Sequence, residues 1–116
     1  VNSFILISEL EVSYRVGVPD AERAKPQRLL LSLEIGYDVS KAAATDDLRS
    51  TIDYFAVCQR LLSFGEGREW RLIEKLASDI ATMVLEEFSA TRVQVEVRKF
   101  IIPQTSFVAV RLVRSR

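Results

Sequence analysis

Thr91 to Phe100, TRVQVEVRKF, reads as a β-strand in strict alternation. Val93, Val95 and Val97 fall on one face, and Arg92, Gln94, Glu96 and Arg98 on the other. This is the period-two pattern of a strand with one side in a core. Lys99 is the next residue in phase with the valines. A strand cannot turn a single side chain to the opposite face without a bulge. If the strand continues, Lys99 points to the apolar side at the rim of the core. Its amine must there reach water, pair with an acid or give up its proton, which makes it a candidate for acid–base chemistry. If the strand stops at Arg98, Lys99 is a solvated edge lysine, and from this stretch alone that is the simpler reading.

Upstream, Arg71–Phe88 predicts a helix, with Leu72, Ile73, Leu76, Ala77, Ile80, Met83, Val84 and Phe88 at helical spacing. Thr51–Phe64 predicts another, with Asp53 as N-cap, Val57, Cys58, Leu61 and Leu62 as its apolar face, and Gly65 and Gly67 at its end. Cys58 and Met83 read as plain core residues. Two strands come first. Ser3–Val18 opens with the apolar run Phe4–Ile7 and then places Leu10, Val12, Tyr14, Val16 and Val18 on one face, with Gly17 marking a bend. Gln27–Ser40 alternates Leu29, Leu31, Leu33, Ile35, Tyr37 and Val39 with polar residues, broken only by Leu30. Pro19–Pro26, PDAERAKP, reads as a charged loop between them, and Lys41–Ser50 shows turn residues without a period. After Lys99 and the segment Phe100–Thr105, a last strand runs from Phe107 to Arg114 with Val108, Val110 and Leu112 inward. The order β-β-α-α-β-β predicts one α+β domain over residues 1–116: a four-stranded antiparallel sheet with two helices on one face.

Composition narrows the chemistry. At 116 residues, 48% apolar and 28% charged, the chain has the makeup of a single globular domain with a real core. Lys and Arg total 16, as do Asp and Glu, so the net charge is zero and nothing points to nucleic acid or an anionic membrane as partner. The apolar runs are too short to span a bilayer, and no signal peptide is expected. The lone Cys58 permits no internal disulfide and fits a cytoplasmic setting. There is no histidine, which rules out Ser-His and Cys-His nucleophiles and leaves a zinc site without its usual ligands. No metal or other cofactor is expected, and acid–base work falls to Lys, Tyr, Asp or Glu. Zero net charge is poor for the solubility of a lone monomer, which suggests that surface is buried in an oligomer.

Five fragments, in this order and spacing, resemble the dihydroneopterin aldolase family over essentially the whole chain: Gly17–Gln27 (GVPDAERAKPQ), Thr45–Asp47 (TDD), Thr51–Tyr54 (TIDY), Leu72–Ala77 (LIEKLA) and Val97–Lys99 (VRK). The resemblance implies the T-fold, or tunnelling fold, a ring-forming β-β-α-α-β-β unit. Its subunits join sheets edge to edge, four to a ring and two rings to a homo-octamer, with the pocket built across two subunits. It implies a carbon–carbon lyase of folate biosynthesis that cleaves 7,8-dihydroneopterin in a retro-aldol reaction to 6-hydroxymethyl-7,8-dihydropterin and glycolaldehyde. The dihydropterin ring is the electron sink, so neither a metal nor a Schiff base is needed.

Matched motif by motif, the resemblance makes Lys99 the general base, Tyr54 the hydroxyl that reprotonates the enol-like intermediate, and Glu22 an acid beside them. Glu74 becomes the carboxylate that holds the pterin, with Ile52 and Ile73 at positions whose main chain also binds it. By residue type alone, Glu22 is as well explained as one more solvated charge in a loop with Asp20, Arg23 and Lys25. The chain departs from the family at Phe100–Thr105, which is apolar and slightly shorter where many members carry Pro, Gly and Ala. The nearest alternative is the related dihydroneopterin triphosphate 2′-epimerase, whose substrate needs extra cations that this loop lacks. A non-catalytic T-fold protein that binds a ligand or forms rings is the alternative of another class.

Overall fold

The computed structural model describes residues 2–116. Along the chain come β1 (Ser3–Val16), α1 (Asp20–Arg23), β2 (Gln27–Tyr37), α2 (Ser40–Thr45), a 3-10 turn at Leu48–Ser50, α3 (Tyr54–Ser63), β3 (Glu69–Trp70), α4 (Ile73–Glu87), β4 (Arg92–Lys99) and β5 (Val108–Ser115). The strands form one sheet in the order β3-β1-β2-β4-β5. β2 lies at its centre, antiparallel to β1 from Ser3↔Tyr37 to Tyr14↔Gln27 and to β4 from Leu29↔Lys99 to Gly36↔Arg92. Leu29, Leu31, Leu33 and Ile35 of β2 and Val93, Val95 and Val97 of β4 are buried on the core face. α4 lies across β4 and β5, and α3 lies against β1. They contribute Val57, Leu61, Leu76, Ile80 and Val84 to the same core. Burying each such side chain is worth about 1.5–3 kcal/mol. No helix among the described residues is long and apolar enough to cross a membrane.

Several expectations need correction. The sheet has five strands, because Glu69 and Trp70 pair in parallel with Arg15 and Val16. Two residues are too few to show alternation. What holds them is Trp70, stacked on Phe64 at 5.8 Å and packed against Tyr14 at 5.6 Å, with its indole N–H donated to Asp79 at 2.9 Å. Among the described residues the helices number four, since one turn forms within the charged loop and another at Ser40–Thr45. β1 ends at Val16 and β2 at Tyr37, leaving Val18 and Val39 exposed. On α3, Leu62 is exposed and Cys58 only half-buried, because just one stripe of this helix meets the sheet. Glu96, assigned to the outer face, is on that face yet buried, covered by Arg98 and Arg111, each with a nitrogen 2.6 Å from its carboxylate.

β1 also contains a bulge. Between Ile7 and Leu10 it takes one more residue than β2 does between Leu33 and Leu31, and Glu9 adopts φ 55°. The inward set therefore passes from odd positions, Ile5 and Ile7, to even ones, Leu10, Val12, Tyr14 and Val16. The extra residue reconciles the initial apolar run with the alternation that follows it.

The end of α3 depends on a close approach. Tyr14 is buried and its hydroxyl donates to the Leu61 carbonyl, while burial raises its pKa above the ordinary phenol value. A Cβ on Gly65 would lie 2.4 Å from Cδ1 of that ring. The ring is held by Trp70 and cannot give way. Gly65→Ala should therefore cost about 1–3 kcal/mol, as overpacking in a filled core does. Urea unfolding at fixed protein concentration should show a lower midpoint with unchanged slope.

Candidate functional site

At the end of β1, Gly17 turns the chain with φ +135°, and a Cβ there would fall 2.2 Å from Cδ of Glu22. Glycine is thus required both by the backbone and by the space that the glutamate occupies. α1 follows as a single turn, with Glu22 N donating to the Pro19 carbonyl at 3.1 Å. The turn aims Glu22 at the last residue of β4. Lys99 continues that strand in phase with the valines, opposite Leu29, and its Nζ lies 2.7 Å from Glu22 Oε2. The side chains are only 13% and 17% exposed, which separates them from the solvated charges of an ordinary loop. Gln27 completes the arrangement, its Nε2 donating to Glu22 Oε2 at 2.8 Å and to the Val16 carbonyl at 3.0 Å. Burial by itself would raise the Glu22 pKa. The hydrogen bonds from Lys99 and Gln27, with the lysine's charge, outweigh it and hold the carboxyl below its ordinary value of 4.5.

Gln27 was not among the residues singled out. The signal was available: it shares the phase of Leu29 and Leu31, so it is a polar side chain on the inward face, as Lys99 is.

Glu74 belongs to the same end of the molecule. Gly17 N donates to the Trp70 carbonyl at 3.0 Å, and α4 begins at Ile73 just beyond. Glu74 is exposed in the first turn of α4, where the helix dipole favours a carboxylate, and Ile73 is half-buried against the core.

Tyr54 and Ile52 lie elsewhere. Asp53 caps α3 by accepting from Phe55 N and Ala56 N, which leaves Tyr54 at the first helical position with 64% of its surface exposed. With the buried Ile52 it lines a cleft of about 360 Å³ shared with Ile5, Tyr37, Leu48, Thr51 and Phe55. Tyr37 anchors this end, its hydroxyl accepting from Thr51 Oγ1 at 3.2 Å. Lys99 sits opposite Leu29, and Leu29 and Tyr37 are eight residues apart on β2, about 26 Å at roughly 3.3 Å per residue. One chain therefore gathers Glu22, Gln27, Lys99 and the Glu74 segment at one end of its sheet and holds Tyr54 and Ile52 at the other.

The sequence model of the family described as FolB, dihydroneopterin aldolase, matches residues 5–113. The chain belongs to the dihydroneopterin aldolase family. It is 36% identical over 103 residues to the dihydroneopterin aldolase of Streptomyces coelicolor, covering 86% of this chain and 87% of that one. The crystal structure of FolB from Vibrio cholerae superposes with a TM-score of 0.93 at 30% identity, covering 98% of both chains. Escherichia coli dihydroneopterin aldolase in complex with neopterin superposes with a TM-score of 0.91 at 26% identity, covering 97% of this chain and 99% of that one. The E. coli dihydroneopterin triphosphate 2′-epimerase is a weaker relative, 25% identical over 97 residues, 84% of this chain and 81% of its own.

Within this member of the family, the Glu22 environment has a measurable signature. Its folded pKa lies below the unfolded value, so its contribution to stability is complete above the ordinary value of 4.5 and lost as the pH falls through the folded one. Glu22→Gln removes that contribution. Between about pH 5 and 3 the melting temperature of the variant should fall less steeply than that of the parent. Parallel curves would show that the carboxylate gains nothing from Lys99 and Gln27.

Proposed function

We propose that this chain is a dihydroneopterin aldolase, cleaving the side chain of 7,8-dihydroneopterin to give 6-hydroxymethyl-7,8-dihydropterin and glycolaldehyde. The observation that carries this reading is the Lys99–Glu22 pair at 2.7 Å, in a chain of this family. Lys99, as the free amine left when its resting ammonium gives a proton to water, takes the proton of the 2′-hydroxyl, directly or through a water, and Glu22 pairs with the ammonium so restored. The C1′–C2′ bond breaks, its electrons enter the dihydropterin ring, and glycolaldehyde leaves. Tyr54 then directs a proton to C1′ of the enol-like intermediate. Glu74 accepts from the N–H donors on the pterin edge, aided by main-chain groups at Ile73 and Ile52. The ring takes up the electrons, so the step needs neither a metal nor a Schiff base. What the protein supplies is position and proton transfer.

The pocket is assembled from two chains. A separation of about 26 Å within one chain keeps Tyr54 from reaching a substrate held by Lys99. Among the described residues, β5 has no neighbour beyond β4, and β1 is covered on its outer side only by the two residues of β3. Joining one chain's β5 edge to the next chain's β1 edge is a heterologous contact that closes into a ring. Closing a sheet into a barrel staggers its strands, and that displacement carries the Lys99 end of one chain toward the Tyr54 end of its neighbour. We take the assembly to be the family's octamer of two four-membered rings.

A turnover assay on 7,8-dihydroneopterin with identification of both products tests the activity. Lys99→Ala should lower kcat about a hundredfold to ten-thousandfold with a far smaller change in substrate affinity. Lys99→Arg should not restore it, because a guanidinium keeps its proton. Near-normal turnover in Lys99→Ala would end the catalytic assignment. Glu74→Gln should instead weaken binding of a pterin product analogue about tenfold to a hundredfold, as a hydrogen bond to a charged group would.

Shared pockets predict complementation. Mixing Lys99→Ala and Tyr54→Phe chains under subunit exchange should restore about a quarter of the sites. Activity that never exceeds the sum of the parents, or a fully active monomer in sedimentation, rules out the two-chain pocket.

A further inference from the structure

We propose that Arg23 is a positioning residue of this site: it ties the turn carrying Glu22 to the segment leading into Glu74, and so sets the spacing between the acid–base pair and the pterin carboxylate. The inference rests on the aldolase reading above. Arg23 reads in the sequence as one charge among Asp20, Glu22 and Lys25, yet it is only 8% exposed, whereas Asp20 and Lys25 are exposed. Every nitrogen of its guanidinium is used. Nη1 donates to the Gly17 carbonyl at 2.8 Å and to the Val18 carbonyl at 2.7 Å, Nη2 to Asp20 Oδ1 at 2.5 Å, and Nε to Glu69 Oε1 at 3.0 Å.

These partners come from two segments. Gly17, Val18 and Asp20 belong to the turn that presents Glu22 to Lys99. Glu69 opens β3, whose Trp70 accepts from Gly17 N, and Glu74 is five residues on from Glu69 in the first turn of α4. α1 has one turn and no side-chain cap, so it cannot hold its own shape. A buried guanidinium joined to two backbone carbonyls and two carboxylates supplies the missing constraint, and its planar fork meets several acceptors at once as an ammonium cannot. Arg15 braces the far side, with Nη1 donating to the Arg23 carbonyl at 3.3 Å.

Three variants test the assignment on the assembled protein: Arg23→Lys, which keeps the charge and loses the fork; Glu69→Gln, at an exposed position outside the core; and Glu22→Gln, alone and combined with Arg23→Lys. In Arg23→Lys and Glu69→Gln, kcat should fall about tenfold to a hundredfold with KM nearly unchanged, the scale of a misplaced reacting group. The Arg23→Lys and Glu22→Gln effects should be non-additive, the double variant being no slower than Glu22→Gln alone. A lower melting temperature with unchanged kcat and KM would make Arg23 a purely structural residue and overturn the proposal. Additive losses would overturn it as well, by showing that Arg23 does not act through Glu22. If Glu22→Gln turns over at the parent rate, or the parent chain neither cleaves dihydroneopterin nor binds neopterin, the site reading falls and takes this inference with it. If Glu22→Gln is inactive while Arg23→Lys and Glu69→Gln are normal, the tie alone is wrong.

Discussion

β2 is hydrogen-bonded along both edges and buried on its core face, and every other register in the sheet is measured from it. On the β4 side it sets Lys99 against Leu29, where the last inward position of that strand falls at the rim of the core. On the β1 side it requires an extra residue before Leu10, so that two apolar segments of opposite parity both face inward. Its length separates the two groups of candidate residues. The side chains around Leu29 and those around Tyr37 cannot meet within one chain, so a pocket that uses both needs a second copy.

Two acidic side chains are withdrawn from water at this sheet, and they differ in what they have left to offer. Glu96 receives Arg98 and Arg111 on its two oxygens. Its depressed pKa follows first from the Arg111 hydrogen bond, which with Arg98 outweighs the effect of burial. Both oxygens are taken by guanidinium groups that cannot give up a proton. Glu22 receives both of its partners on Oε2, and one of them is a lysine. An ammonium can exchange its proton where a guanidinium cannot, so similar burial and similar ion pairing support a structural role at one position and chemistry at the other.

Much of this was legible in the sequence, for reasons that differ by element. Alternation located β2 and, strict through Val93, Val95 and Val97, located β4 and put Lys99 on the correct face, because burial of one face leaves a strand no other register. The helices showed in their spacing, and Asp53 in its place ahead of Tyr54. β3 did not show: two residues carry no period, and the aromatic packing that holds Trp70 is tertiary. α1 did not show either, since one turn between prolines has no amphipathic stripe. Arg23 looked like loop charge because its acceptors are mainly backbone carbonyls and Glu69, none of which can be matched by spacing. The split of the candidate residues between the two ends of the sheet needed the register itself, which no periodicity reveals.

The bulge in β1 separates length from facing. Taking out Ser8 or Glu9 would leave Ile5, Ile7, Leu10 and Val12 all pointing inward along an uninterrupted pleat. The same loss elsewhere in the strand would turn one set of side chains over. What would change is curvature, since a bulge bends its strand and increases the local twist. A sheet that must close on copies of itself has its diameter set by such bends. In the ring proposed for this chain, the bulge is therefore a one-residue adjustment of diameter, independent of the core it covers.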